Sequence, residues 1–229
     1  HEPGKGPIYG TMVISVDPSD ASAFETSSSY VYAESGEQIQ RAGQTTVYTG
    51  YQWRGRSNPG SDDELREVMF VERDQQQIWG RWFRGDYDEL GPNISMTRTA
   101  GSAVVTGVYP RAILRGSSSD VTVYGVGLSA TETLDFGSGI SVESLHVTAD
   151  GALRATLQVA VNAESGERDL FTKGSIAEGA VVVHDGMDRI EVTPGTGTAR
   201  AGGANFPKGY QIFDAWGYDD GPDGEPNTE

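Results

Sequence analysis

The chain has 229 residues, a formal net charge of −16 and no cysteine. Its acidity makes nucleic acid and an anionic membrane surface poor partners, because Asp and Glu meet phosphate with like charge. The missing thiols exclude disulfides, thiolate zinc sites, a cysteine nucleophile and c-type haem attachment within the chain. No membrane insertion is expected, since no stretch approaches the roughly 20 apolar residues that span a bilayer. The opening His1-Glu2-Pro3-Gly4-Lys5-Gly6 has no apolar signal core, so the chain reads as mature or trimmed, and soluble. Lys5, Lys173 and Lys208 are its only lysines. An acid-rich, lysine-poor surface leans toward a secreted or periplasmic protein.

In chain order, period-2 alternation recurs and helical periodicity is nearly absent, which predicts an all-β fold. Met12, Ile14 and Val16 alternate with Thr11, Val13 and Ser15. Val47, Thr49, Tyr51 and Trp53 alternate with Tyr48, Gly50, Gln52 and Arg54, and Ile78 and Trp82 with Trp79, Arg81 and Phe83. Later, Leu153, Ala155, Leu157, Val159 and Val161 share one face. Asp17-Pro18-Ser19-Asp20, Asn58-Pro59-Gly60, Asp150-Gly151, Ser165-Gly166 and Asp185-Gly186 supply turn chemistry between such runs. Short strands with closely spaced turns predict barrels or sandwiches. Aromatic residues are dense before Thr99-Ala100-Gly101-Ser102 and give way to Val, Leu and Ala after it. The expected organisation is an antiparallel β-barrel over 1–101, an immunoglobulin-like β-sandwich over 102–186 and the incomplete start of a further β domain over 187–229.

No catalytic constellation emerges. His1, His146 and His184 are the only histidines. A copper brace at His1 would need a second histidine from far along the chain, and His146 and His184 read as rim residues of strands. No G-x-S-x-G nucleophile motif is present. The acid clusters Asp62-Asp63-Glu64 and Asp86, Asp88, Glu89 flank aromatic strands, but a glycosidase needs two carboxylates set across a cleft; solvated loop tips are the simpler reading. Asp219, Asp220 and Asp223 offer hard oxygen ligands in a Gly-rich turn, a weak calcium candidate without EF-hand spacing. Trp53, Trp79 and Trp82 are the candidate aromatic contact surface, able to stack sugars or a partner, or else to fill a barrel core. Gly101, Gly125, Gly127, Gly137 and Gly139 read as turns and bulges rather than phosphate cradles, because no helix follows them.

Several stretches resemble one family. Pro3-Gly4-Lys5-Gly6-Pro7-Ile8-Tyr9-Gly10-Thr11-Met12 and Val47-Tyr48-Thr49-Gly50-Tyr51-Gln52-Trp53-Arg54 resemble the second domain of quinohaemoprotein amine dehydrogenase α subunits. Phe136-Gly137-Ser138-Gly139-Ile140 and Ser165-Gly166-Glu167-Arg168-Asp169 resemble the third. Asp188-Arg189-Ile190-Glu191-Val192-Thr193-Pro194, Ala199-Arg200-Ala201-Gly202-Gly203 and Gly221-Pro222-Asp223-Gly224-Glu225-Pro226 resemble the start of the fourth. The resemblance implies a lipocalin-like shape for the barrel. It implies a periplasmic complex that oxidises primary amines and passes electrons through haem c. The implied partners are a propeller β subunit and a small γ subunit carrying cysteine tryptophylquinone. The cytochrome part of the family pattern, with its Cys-x-x-Cys-His motifs, has no counterpart in this sequence. The expected role is therefore structural: β domains that dock subunits, with no catalytic, cofactor-binding or metal residue of their own. The alternative is a free-standing tandem β module that binds carbohydrate or another surface.

Overall fold

The computed structural model describes residues 1–84 (the Ala21 side chain excepted), 91–99, 103–129, 133–202, 209 and 211–218. Every regular element among them is a strand. No helix among the described residues is long and apolar enough to cross a membrane. The chain divides into two compact units, His1–Ala100 with Gly197–Ile212, and Gly101–Thr196 with Phe213–Glu229.

The first unit is one antiparallel sheet of β1 (Ile8–Asp17), β2 (Asp20–Tyr32), β3 (Gln38–Tyr48), β4 (Gln52–Ser57), β5 (Leu65–Val71), β6 (Gln77–Arg84) and β7 (Asn93–Thr97), each strand paired with the next. The predicted turns set this meander. Asp17 Oδ1 accepts the Ser19 N–H at 2.7 Å between β1 and β2, and Asn58 and Gly60 take positive φ between β4 and β5. Residues 47–54, expected as one alternating run, are instead a hairpin. Gly50 (φ 83°) and Tyr51 (φ 63°) turn the chain, and Val47 faces Trp53 across β3 and β4. The three-residue loop preserves parity, so Val47 and Trp53 still share a face.

The sheet curls strongly. Strands β2 and β6 are four spacings apart, about 19 Å across a flat sheet, yet the Tyr30 and Trp82 ring centroids lie 5.7 Å apart. The concave face holds the core of Tyr30, Tyr32, Trp53, Leu65, Met69, Trp82 and Ile94. The expected antiparallel barrel takes the form of a curled half-barrel: among the described residues β1 and β7 are the two edges of the ladder and do not pair with each other. Contacts from the first residues approach the far side instead: Asn93 N–H donates to the His1 carbonyl at 3.0 Å, and the buried Glu2 carboxylate receives Tyr32 Oη–H and the Arg84 guanidinium. Backbone and side-chain hydrogen bonds of the first two residues thus bridge where no ladder does.

The second unit contains β8 (Val104–Tyr109), β9 (Ala112–Leu114), β10 (Ser118–Val126), β11 (Ile140–Val147), β12 (Leu153–Val159), β13 (Gly166–Phe171) and β14 (Ile176–His184). One sheet runs β11-β12-β10-β8 and the other β13-β14-β9. A bridge between Asp135 and Phe171 adds a further segment beside β13. The first and fifth strands of the unit flank the third in one sheet, and the chain crosses to the other sheet after Tyr109. This is the immunoglobulin-like arrangement. One pair departs from an all-antiparallel expectation, since β9 runs parallel to β14 with Ile113 opposite Val183. Val121, Val123, Leu153, Leu157 and Val159 from one sheet bury against Ile113, Leu170, Val181 and Val183 from the other, with Phe136. Each such side chain contributes about 1.5–3 kcal/mol of burial free energy. Val161, expected on the same buried face, lies beyond the end of β12 and is exposed. Last, β15 (Arg189–Thr193) and β16 (Asp214–Tyr218) form a two-stranded ribbon of their own.

Candidate docking face and the polar cluster behind it

Strands β4, β5 and β6 carry different chemistry on their two faces, because alternation sends neighbours to opposite sides. On the concave face Trp53 is 2% exposed, Trp82 3% and Glu67 1%. Trp53 Nε1–H donates to Glu67 Oε2 at 2.7 Å, and the Ser57 hydroxyl donates to Oε1. Gly55 makes the space: a Cβ there would lie 2.7 Å from Glu67 Oε2 and 2.9 Å from Thr45. Burial raises the Glu67 carboxyl above its ordinary range, and the donors from Ser57 and Trp53 and the positive field of Arg41 oppose that rise. Arg41, itself buried, donates Nε–H to Tyr30 Oη at 2.8 Å and pairs with Asp63 at 3.2 Å. Burial pushes the Tyr30 phenol up, against the Arg41 contact. The buried Trp82 Nε1–H has no hydrogen-bond acceptor among the described residues.

The convex face of the same strands is aromatic. Cross-strand register aligns Tyr48, Gln52, Phe70, Trp79 and Ser95 in one row over β3 to β7. Trp79 is 48% exposed and Tyr48 58%. Phe70 and Trp79 stack with centroids 5.1 Å apart and planes 29° from parallel. Trp79 Nε1–H donates to Glu72 Oε1 at 2.7 Å, which fixes the indole while its ring stays accessible. Tyr51 adds a further exposed ring in the β3–β4 turn. Exposed aromatic residues grouped in register mark a contact surface more strongly than scattered ones.

The three tryptophans singled out from sequence therefore do not form one surface. Trp53 and Trp82 are corrected to core residues, since both point into the curl of the sheet, and only Trp79 faces solvent. Of the acid clusters, Asp63 pairs with Arg41, and Glu64 pairs with Arg56 at 3.2 Å. Hydrogen bonding from Ser61 foremost holds the Asp63 carboxyl low. Asp86, Asp88 and Glu89, and the calcium candidates Asp219, Asp220 and Asp223, lie outside the described residues. His1 belongs to the first unit; His146 lies exposed on β11, and His184 ends β14 with Nδ1 3.2 Å from the Gly186 carbonyl. Among the described residues no three His, Asp or Glu side chains converge as a metal-ligand set.

Sequence reasoning missed Glu67. An acid between Leu65 and Met69 on alternating positions is the only local signal, and Arg66, Val68 and Phe70 make the other face of β5 equally plausible as the buried one.

A curled antiparallel sheet and an immunoglobulin-like sandwich, with an aromatic face on the first, define a tandem β module. Residues 1–99 match the family model described as quinohemoprotein amine dehydrogenase, alpha subunit domain II, and residues 102–185 the model described as alpha subunit domain III. The chain belongs to the quinohemoprotein amine dehydrogenase alpha-subunit family. No curated protein matches it. Covalent c-type haem and cysteine tryptophylquinone both need cysteine, and the chain has none, so neither group attaches to these residues.

Proposed function

We propose that this chain supplies non-catalytic docking domains of the α subunit of a periplasmic quinohaemoprotein amine dehydrogenase. In this reading the complex oxidises primary amines and passes electrons through haem c, and the haem and the quinone reside elsewhere in it. The partners are the propeller β subunit and the quinone-bearing γ subunit. The domains run 1–101, 102–186 and 187–229, the last being the start of a further one. The observation that carries the reading is the pair of consecutive family matches, joined to an exposed Phe70–Trp79 stack on the first unit. Aromatic anchors of this kind supply most of the affinity at protein interfaces.

The test is reconstitution with the β and γ subunits, followed by size-exclusion chromatography and interface mapping by hydrogen exchange. Co-elution, with protection of β5 and β6, is expected. A chain that never associates with either subunit overturns the reading. The intact mass and visible spectrum of the native α subunit supply a second check: a c-type Soret band on a chain well above 24.5 kDa is expected.

The second reading, carbohydrate binding, draws on the accessible Trp79 ring. Quenching of tryptophan fluorescence by a polysaccharide panel, lost in Trp79→Ala, would favour it.

A further inference from the structure

The open seam of the first sheet is crossed by one short segment. Residues 1–7 precede β1, yet their contacts reach β2, β6 and β7. The segment has a fixed turn of its own. The Glu2 carbonyl accepts the N–H groups of Lys5 and Gly6, each at 3.0 Å, and Glu2 N–H donates to the Gly6 carbonyl at 2.9 Å. Gly4 (φ 77°) and Gly6 (φ 79°) supply the left-handed backbone this turn needs. Lys5 Nζ lies over the Tyr32 ring, 4.6 Å from its centroid, and the Pro7 carbonyl accepts the Ala33 N–H at 3.0 Å. Bonds within the segment thus orient Glu2.

Glu2 is 4% exposed, so its charge has to be answered inside the protein. Tyr32 Oη–H at the end of β2 and the Arg84 guanidinium at the end of β6 answer it. Burial first, and the Glu2 carboxylate next, raise the Tyr32 phenol above its ordinary range, so it remains a donor at neutral pH. Strands β2 and β6 share no ladder. One carboxylate therefore ties together two parts of the sheet that backbone pairing leaves apart. Tyr32 in turn packs edge to face on Tyr30 with centroids 5.9 Å apart, and Tyr30 packs on Trp82 at 5.7 Å. Within this group of rings, the Trp82 indole N–H is the buried donor that has no acceptor among the described residues.

We infer that residues 1–7 form a releasable latch, with Glu2 as its bolt, that holds the half-barrel closed across its seam and keeps water from the rings of Tyr30, Tyr32 and Trp82. Two opposed effects make the latch a two-state element. Closed, it gains the charge-assisted bonds from Arg84 and Tyr32 to Glu2. Open, it lets water reach the Trp82 N–H, which burial leaves unsatisfied. Release breaks the seam contacts and leaves every ladder from β1 to β7 paired. Such a local opening draws on contacts outside the ladders and spares the inner core. The device stands independently of the docking reading.

The experiment is native-state hydrogen exchange of the tryptophan indole N–H groups, followed by NMR on the 229-residue chain. Without an acceptor, the Trp82 N–H is protected by burial alone and reports the seam; Trp53, bonded to Glu67 at 2.7 Å, reports the inner core. Glu2→Gln keeps the side-chain volume and removes the charge. It should speed Trp82 exchange by about tenfold or more, the worth of a lost charge-assisted bond, and leave Trp53 within about twofold. Tyr32→Phe removes one donor and should give a smaller increase at Trp82, with Trp53 again unchanged. In E2Q/R84Q the increase should not exceed that of the stronger single variant, because one bolt is released once. Near-ultraviolet circular dichroism and the amides of β10 and β12 confirm that each variant folds. Three outcomes overturn the inference. Unchanged Trp82 exchange in Glu2→Gln removes the bolt. Equal acceleration at Trp53 and Trp82 makes Glu2 a support of the whole unit rather than of the seam. Multiplied effects in E2Q/R84Q mean that the two residues do not act as one device. If Glu2→Gln does not fold, Tyr32→Phe decides by the same two indoles.

Discussion

Trp53 donates its indole N–H to Glu67 at 2.7 Å across the concave face of the first sheet, and neither residue is exposed. A buried carboxylate without donors would cost several kcal/mol. Here one oxygen takes the Trp53 N–H and the other the Ser57 hydroxyl. The pair ties the aromatic core to the polar interior of the curl, and it explains why Trp53 has no surface role.

Glu67 makes the first unit's stability depend on pH. Its folded carboxyl holds a proton to higher pH than an unfolded one, because burial disfavours the anion. The folded state therefore binds more protons between the two values. The associated stability is fully present below the ordinary carboxyl range and is lost as pH rises through the raised value. Glu67→Gln removes this titration. Thermal unfolding followed from pH 4 to pH 8 should show a shallower decline for the variant than for the wild type; identical slopes would remove Glu67 from the explanation.

Trp53 and Trp79 should separate stability from binding. Trp53→Ala leaves a large cavity and takes a donor from Glu67, and a loss of about 3–5 kcal/mol in urea unfolding is expected. Trp79→Ala alters an exposed ring and should stay within about 1 kcal/mol of wild type, while association with partner subunits weakens at least tenfold.

Gly55→Ala probes the space kept for the carboxylate. The added methyl would sit 2.7 Å from Glu67 Oε2 and 2.9 Å from Thr45, so a loss of about 1–3 kcal/mol is expected from overpacking. A double-mutant cycle with Glu67→Ala should show coupling of at least about 0.5 kcal/mol, because the shorter side chain vacates the contact. Strict additivity would mean that Thr45 alone resists the methyl.

In the sandwich, Leu157 is fully buried within the two-sheet core. Leu157→Ala should cost about 2–5 kcal/mol, seen as an earlier urea midpoint for amides of β8–β14, while the protection of the Trp53 indole N–H against hydrogen exchange is unchanged. Equal loss in both places would mean that the two units unfold as one.

Part of the site was legible in advance. Alternation placed Trp79 opposite Trp82 on one strand, and β6 bears that out. Grouping Trp53, Trp79 and Trp82 as one contact surface ignored that parity. The hairpin at Gly50-Tyr51 was hidden because a three-residue loop leaves the alternation of Val47 and Trp53 intact. The latch was equally hidden: Glu2, Tyr32 and Arg84 are scattered in sequence and become neighbours only through the curl of the sheet.

The sequence by itself determined the all-β class, the turn positions and the family, because period-2 patterning, Gly/Asn/Asp/Pro turn chemistry and ordered motifs are local properties. Tertiary structure alone decided which face of each strand is buried, how far the sheet curls, and which charges meet. Those outcomes depend on pairing between distant segments, where a one-residue change of register exchanges the two faces of a strand. Glu67 lies on the core face of β5 and Arg66 on the opposite face for that reason.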